Sequence, residues 1–180
     1  MIPDEHGRSP RRLVILIDGG SGAGKTTFAH ALRLAVEEVR GRPVQLMSLD
    51  DCYPGWDGLA EGSRMVIDDI LRPDNPGWWG WDWDADATTD WHPLDPDDDL
   101  IVEGCGTITH ESAPLASFTA WLELDADARR HRAIARDGDR YAPFWDRWAA
   151  QEAEHWARND PRELADFVVD LNPEVAPASD

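Results

Sequence analysis

The sequence predicts an α/β fold built on a five-stranded parallel sheet with helices on both faces. Three observations carry that expectation. Short runs rich in Val, Ile and Leu recur along the chain, as strands buried on both faces require. Segments with apolar residues at helical spacing alternate with them, the order of parallel α/β units. A glycine-rich loop joins the first strand run to the first helical run.

Taken in order, Leu13-Val14-Ile15-Leu16-Ile17 is the first strand. Gly19-Gly20-Ser21-Gly22-Ala23-Gly24-Lys25-Thr26 follows, and a helix runs from residue 25 to about 40, closed by Gly41 and Pro43. Residues 44–49 form the second strand, which ends in Asp50-Asp51-Cys52-Tyr53-Pro54-Gly55. Residues 63–71 read as a short helix stopped by Pro73. Residues 73–99 change texture. Trp78, Trp79, Trp81, Trp83 and Trp91 stand among aspartates and prolines with no regular period, so the segment reads as irregular. Its tryptophans nonetheless argue against disorder. Residues 100–104 and 121–125 are the third and fourth strands. An arginine-rich helix covers 126–137, another helix covers 141–159, and residues 167–171 close the sheet. Residues 1–12 and 173–180 read as flexible tails around a single domain, 13–172.

Composition narrows the function. At 180 residues one domain with a sizeable core is expected. No apolar run approaches the roughly 18 residues of a membrane span, and the polar start lacks a signal peptide's apolar stretch. Two cysteines make no disulfide framework, so a reduced, cytoplasmic protein without a membrane partner is expected. A net charge of −19 excludes a general nucleic-acid surface. Of the 17 basic residues only one is a lysine, and that lysine is Lys25.

Residues 19–26 fit G-x-x-x-x-G-K-[ST], a Walker A loop, between a strand and a helix as that motif requires. Glycines let backbone N–H groups approach a phosphate, and the helix N-terminus adds unpaired N–H groups and partial positive charge. Gly20, Ser21, Gly22, Ala23, Gly24, Lys25, Thr26 and Thr27 are therefore the candidate nucleotide-binding residues. Lys25 would reach the β- and γ-phosphates and the Thr26 hydroxyl would ligate Mg²⁺.

In an open parallel sheet, ligands sit at the carboxyl ends of the strands, which brings Asp50 and Glu103 toward the loop. Asp50 suits the acceptance of a hydroxyl proton and Glu103 the metal, with both near the metal's water shell. The competing reading of Asp50-Asp51 is plain turn chemistry. Arg129, Arg132, Arg136 and Arg140 are spaced three, four and four, so on a continuing helix they share one face. Such a face could close over a triphosphate, with Arg132 and Arg136 stabilising the transferred charge; the alternative is a solvated basic face. Asp82, within Trp81-Asp82-Trp83-Asp84, is a candidate for holding substrate hydroxyls. The indoles could equally form a satellite core. Cys52 and Cys105 read as small buried residues rather than nucleophiles.

With these residues in place the chain resembles the uridine kinase-like branch of the P-loop kinases, a superfamily shared with phosphoribulokinase and pantothenate kinase. The resemblance covers roughly residues 13–170. It rests on Gly-Gly-Ser-Gly-Ala-Gly-Lys-Thr-Thr at 19–27, Asp50-Asp51-Cys52-Tyr53, Val102-Glu103-Gly104, and Asp125-Ala126-Asp127-Ala128-Arg129 with the arginines beyond. It implies a P-loop NTPase three-layer sandwich that uses ATP and Mg²⁺. By resemblance Asp50 is the catalytic base and a Mg²⁺ ligand, Tyr53 lies at the nucleoside site, Glu103 lies near the metal, and Arg132 and Arg136 belong to the lid. Cys52 stands where the family usually has Phe, and Trp81-Asp82-Trp83-Asp84 only loosely echoes the family's Phe-Asp-His-Pro substrate pattern. The catalytic set carries over; uridine as substrate does not.

The function expected is an ATP-dependent kinase for a hydroxyl of a nucleoside-like or other small polyol substrate. A nucleoside monophosphate kinase is the nearest alternative, but residues 50–100 hold only Arg64 and Arg72 as basic groups for a second phosphate. A nucleotide-binding protein without phosphotransfer is the other. A GTPase that reads guanine through N-K-x-D is excluded, because no second lysine exists.

Overall fold

The computed structural model describes residues 12–173. The expected tails therefore lie outside the described residues apart from Arg12 and Pro173. Five parallel strands form the sheet: β1 (Val14–Gly19), β2 (Val44–Ser48), β5 (Asp99–Glu103), β6 (Phe118–Glu123) and β7 (Phe167–Asp170), in the order β2-β5-β1-β6-β7. This is the α/β sandwich that the apolar runs predict.

The apolar runs are continuous because the strands are covered on both sides. Leu16, Leu100 and Val102 face one core with Met47, Leu49 and Trp148, whereas Ile15, Ile17 and Ile101 face a second core with Val44, Ala29 and Leu122. Side chains alternate across a strand, so a sheet buried on both faces needs an apolar residue at every position. Helix α1 (Lys25–Arg40) covers the second core through Phe28, Leu32 and Val36 and stops at Gly41, whose φ of 63° is left-handed. Helices α3 (Ala126–Asp137) and α4 (Trp145–Asn159) bring Ala133, Trp145 and Trp148 to the first core.

Two expectations change. The short helix expected at 63–71 starts earlier, as α2 (Leu59–Met65), and continues as a wider π-type turn over Val66–Ile70. Gly62 sits inside it because the Tyr53 ring packs there. A Cβ at that position would come within 2.4 Å of the ring. More important, residues 73–99 are not irregular throughout. They hold an antiparallel ribbon of β3 (Gly77–Asp82) and β4 (Ala87–Pro93), separate from the main sheet. Trp78 pairs with His92 and Trp79 with Trp91, and the register shifts between Trp79 and Trp81. That bulge, and a β4 that is almost wholly exposed, erase the alternation by which a strand is recognised in sequence. The indoles do form part of a satellite core: Trp78 and Trp83 pack against the first core.

Candidate active site

Parallel register puts the chemistry at one edge. Glu103 is paired with Ile17 on one side and Ser48 on the other, so the ends of β1, β2 and β5 lie level and their loops open to the same side. At the end of β1, Gly19 lies so close to Leu122 that a Cβ would stand 2.6 Å from that carbonyl oxygen. Gly20 and Gly22 are needed for a different close approach, because a Cβ on either would overlap Arg129. Ala23 is buried, Gly24 takes φ 99° at the start of α1, and Thr26 and Thr27 are exposed in its first turn.

The loop is shaped for an anion. Helix α1 has no side-chain cap and no acidic residue in its first turn, so its leading N–H groups and dipole are left for a ligand. The Lys25 ammonium lies over the loop, donating to the carbonyls of Gly19 (2.8 Å) and Gly20 (3.1 Å) and to Cys105 Sγ (3.3 Å). Burial alone would depress its pKa. Cys105 and the carboxylates of Glu103, Glu152 and Asp50 outweigh burial, so the net direction is upward and Lys25 stays a cation.

Glu103 is buried and hydrogen-bonded. Its Oε1 accepts from Thr26 Oγ1 (2.9 Å) and Ser48 Oγ (2.7 Å). Asp50 follows β2 on a single 3₁₀ turn and lies on the wall of a crevice of about 810 Å³. Its carboxyl accepts no hydrogen bond from a described residue. Desolvation raises its pKa and Glu103 raises it further, against the opposing pull of Lys25 and Arg136. The Thr26 hydroxyl and the carboxylates of Glu103 and Asp50 fit Mg²⁺, a hard cation usually held by one or two carboxylates with water and phosphate completing its octahedron. No cluster of three or more His, Cys, Asp or Glu side chains that could hold a metal stands among the described residues.

The four arginines divide. Arg129 is buried beneath the loop rather than on a lid. Its guanidinium donates to Glu152 Oε2 (3.1 Å), the Leu124 carbonyl (3.1 Å) and the Ser21 carbonyl (3.3 Å). Glu152 Oε1 in turn accepts the Ser21 N–H at 2.7 Å. Arg132 is exposed on α3 and does not line the crevice. Arg136 and Arg140 do line it, paired with Asp137 (2.7 Å) and Asp84 (2.5 Å). The expected single face fails because α3 ends at Asp137, where Gly138 takes φ 56°, so Arg140 lies beyond the helix.

The other candidates are placed as follows. Tyr53 borders the crevice, but it is buried and its hydroxyl donates to the Cys105 carbonyl at 2.7 Å. Asp82 does not border it. Its carboxylate caps the β3–β4 turn by accepting the N–H groups of Asp84 and Ala85, each at 2.9 Å. Asp84, two residues on, occupies the crevice instead, beside Trp83, whose indole N–H donates to the Asp50 carbonyl at 2.9 Å. Burial pushes the Cys52 thiol up to about 12 and raises Cys105 as well, so both are inert thiols at neutral pH.

Sequence reading missed three features. Trp56, Phe144 and Trp148 wall the crevice, although no local pattern marks them. Glu152 looks like any acid on an amphipathic helix. Asp18 is fully buried at the end of β1 and accepts N–H groups from Gly19 (2.7 Å), Gly106 (3.1 Å) and Ile108 (2.9 Å), tying the loop after β5 to the glycine loop. Burial raises its pKa, opposed by His155 and those N–H groups. A carboxylate closing an apolar strand was the signal available for it.

No protein-family model matches the sequence, and no curated protein matches it. Solved structures do. A possible uridine kinase from Bacillus stearothermophilus aligns with a TM-score of 0.59 over 91% of each chain, at 21% identity. A provisionally assigned fructose transport system kinase from Silicibacter sp. TM1040 covers 90% of this chain and 91% of its own, with a TM-score of 0.54 and 16% identity. The fold is that of a P-loop kinase. At these identities the likeness is one of fold.

Proposed function

We propose that this protein is an ATP-dependent small-molecule kinase that transfers the γ-phosphoryl group of Mg-ATP to a hydroxyl of an uncharged acceptor, nucleoside-like or another small polyol. The observation that carries the reading is one of placement. An uncapped helix N-terminus with Lys25, a Thr26–Glu103–Ser48 oxygen cluster and the free carboxyl of Asp50 lie at one sheet edge beside an open crevice. The acceptor oxygen attacks the γ-phosphorus, Asp50 takes the hydroxyl proton, and the bond from phosphorus to the β–γ bridging oxygen breaks to release ADP. Lys25 and the backbone N–H groups hold the phosphates in line, and Arg136 offers charge to the transferred group. Bound Mg²⁺ would neutralise phosphate charge, with Thr26, Glu103 and Asp50 as its protein oxygens.

The crevice favours a neutral acceptor over a nucleoside monophosphate. It presents four carboxylates, Asp50, Asp84, Asp137 and Asp139, against two guanidinium groups, Arg136 and Arg140. A screen of nucleosides, sugars and vitamin-like alcohols for ADP formation with Mg-ATP tests the reading. ADP released only with monophosphates would favour the alternative, and tight ATP binding with no product would leave a nucleotide-binding protein. A cytoplasmic location suits use of ATP, and no helix among the described residues is long and apolar enough to cross a membrane.

Two results are expected. A base must be deprotonated to work, and the Asp50 pKa lies above its ordinary value. The acid limb of the kcat/KM–pH profile should therefore fall above about pH 4, with activity lost as pH drops through it. Glu103→Gln should raise the Mg²⁺ concentration for half-maximal turnover by about 10- to 100-fold, as the loss of a metal-orienting carboxylate does, measured by Mg²⁺ titration after chelation.

A further inference from the structure

We propose that the buried carboxyl of Asp18 is a positioning residue for the phosphate-binding loop, with His155 as its second support, and that the pair sets the affinity for a nucleoside triphosphate. The proposal rests on the reading of residues 19–26 as a nucleotide loop, and it holds whether or not a phosphoryl group is then transferred. Asp18 is fully buried and stands next to last in β1. Its Oδ1 accepts the Gly19 N–H at 2.7 Å, its Oδ2 accepts the Ile108 N–H at 2.9 Å, and both oxygens share the Gly106 N–H at 3.1 Å. Every one of these partners is a donor, so the set fits a carboxylate and offers no acceptor to an acid proton. No step of phosphoryl transfer uses this group.

What the carboxylate holds is the start of the loop. Gly19 is fixed at both ends, its N–H by Asp18 and its carbonyl by the Lys25 ammonium at 2.8 Å. Gly106 and Ile108 belong to the chain after β5, beside Cys105, whose Sγ lies 3.3 Å from both Lys25 Nζ and the Gly19 carbonyl. One side chain thereby joins the end of β1 to the end of β5. Ile108 is held at its other end by α4. The buried His155 places Nε2 3.2 Å from the Ile108 carbonyl and 3.8 Å from Asp18 Oδ2, and its Nδ1 lies 3.2 Å from the Asn159 amide nitrogen. Assigning that amide as donor to Nδ1 puts the ring hydrogen on Nε2, where it meets the Ile108 carbonyl. Three residues earlier on the same helix, Glu152 accepts the Ser21 N–H. Helix α4 thus braces the loop directly at Ser21 and, through Ile108 and Asp18, at Gly19. Such bracing acts on affinity, because time that the loop spends in any other arrangement weakens apparent phosphate binding in proportion.

Calorimetric titration of the full chain with Mg-ATP, at a temperature where circular dichroism shows each variant folded, tests the proposal. Asp18→Asn keeps the shape of the side chain but turns an NH₂ group toward peptide N–H donors. It should bind about ten-fold more weakly, the factor expected when the competent arrangement is populated about one-tenth of the time. His155→Phe should weaken binding too, and His155→Gln, whose amide can donate to the Ile108 carbonyl, should recover most of the loss. Asp166→Asn is the structural control. Its carboxylate accepts the Thr119 N–H at 2.8 Å near the start of β6, away from the carboxyl edge of the sheet, so its loss should lower the melting temperature and leave ATP affinity unchanged. Unchanged affinity in a folded Asp18→Asn, even with a lowered melting temperature, overturns the proposal, as does an equal weakening in Asp166→Asn. Should Asp18→Asn fail to fold, unchanged affinity in His155→Phe has the same force. A wild-type chain that binds no ATP removes the nucleotide loop and this proposal together, whereas one that binds ATP but yields no ADP in the acceptor screen ends only the kinase reading.

Discussion

Asp50→Asn is expected to lower turnover by about 10²- to 10⁴-fold while leaving ATP affinity nearly unchanged. Asparagine keeps the shape of the side chain and cannot take a proton. The Asp50 carboxyl accepts no hydrogen bond from any described residue, so its loss breaks no internal network. The Trp83 contact is to the backbone carbonyl of residue 50 and survives the exchange. Asp51→Asn is the control, since Asp51 is exposed and does not line the crevice. Steady-state kinetics with an acceptor found by the screen, alongside ATP titration, read both quantities. Full activity in Asp50→Asn would remove Asp50 from the mechanism, and an equal loss in Asp51→Asn would point to disturbance of the turn.

The second large effect is on stability. Arg129→Ala should destabilise the protein by about 3–5 kcal/mol, because it strands the Glu152 carboxylate, 1% exposed, without its cation. In a chain of this size that is a fall in melting temperature of roughly 6–20 °C, seen by circular dichroism. Double replacement with apolar residues, Arg129→Met with Glu152→Leu, should recover much of the loss, since a buried ion pair contributes little over a well-packed apolar pair. It would not restore the acceptor for the Ser21 N–H, so the double variant should fold yet bind ATP less well. A lid arginine behaves in the opposite way: its removal slows transfer and leaves the melting temperature alone. An unshifted melting temperature for Arg129→Ala would therefore return Arg129 to the lid.

The two variants mark the boundary of what could be read from the chain. Residue order alone specifies the glycine loop between strand and helix, the parallel sheet and the convergence of Asp50 and Glu103 on its edge. These are short-range facts, since the loop needs particular residue types at fixed offsets and a twice-covered strand has to be apolar at every position. The hairpin in residues 73–99 was hidden by a bulge and by an exposed second strand that has no core to record in its pattern.

What each polar side chain does follows from packing between distant parts of the chain. Four arginines at helical spacing looked alike, yet one is buried under Gly20 and Gly22, one faces solvent and two wall the crevice. Asp82, expected at the substrate, instead caps the β3–β4 turn, and Asp84 borders the crevice. Ser21 and Glu152 are 131 residues apart, and Arg129 and Ser21 are 108 apart. Local spacing says which way a residue leaves its own helix or strand. What it meets there is set by elements packed against it from elsewhere in the chain, and with them the cost or gain of burying its charge.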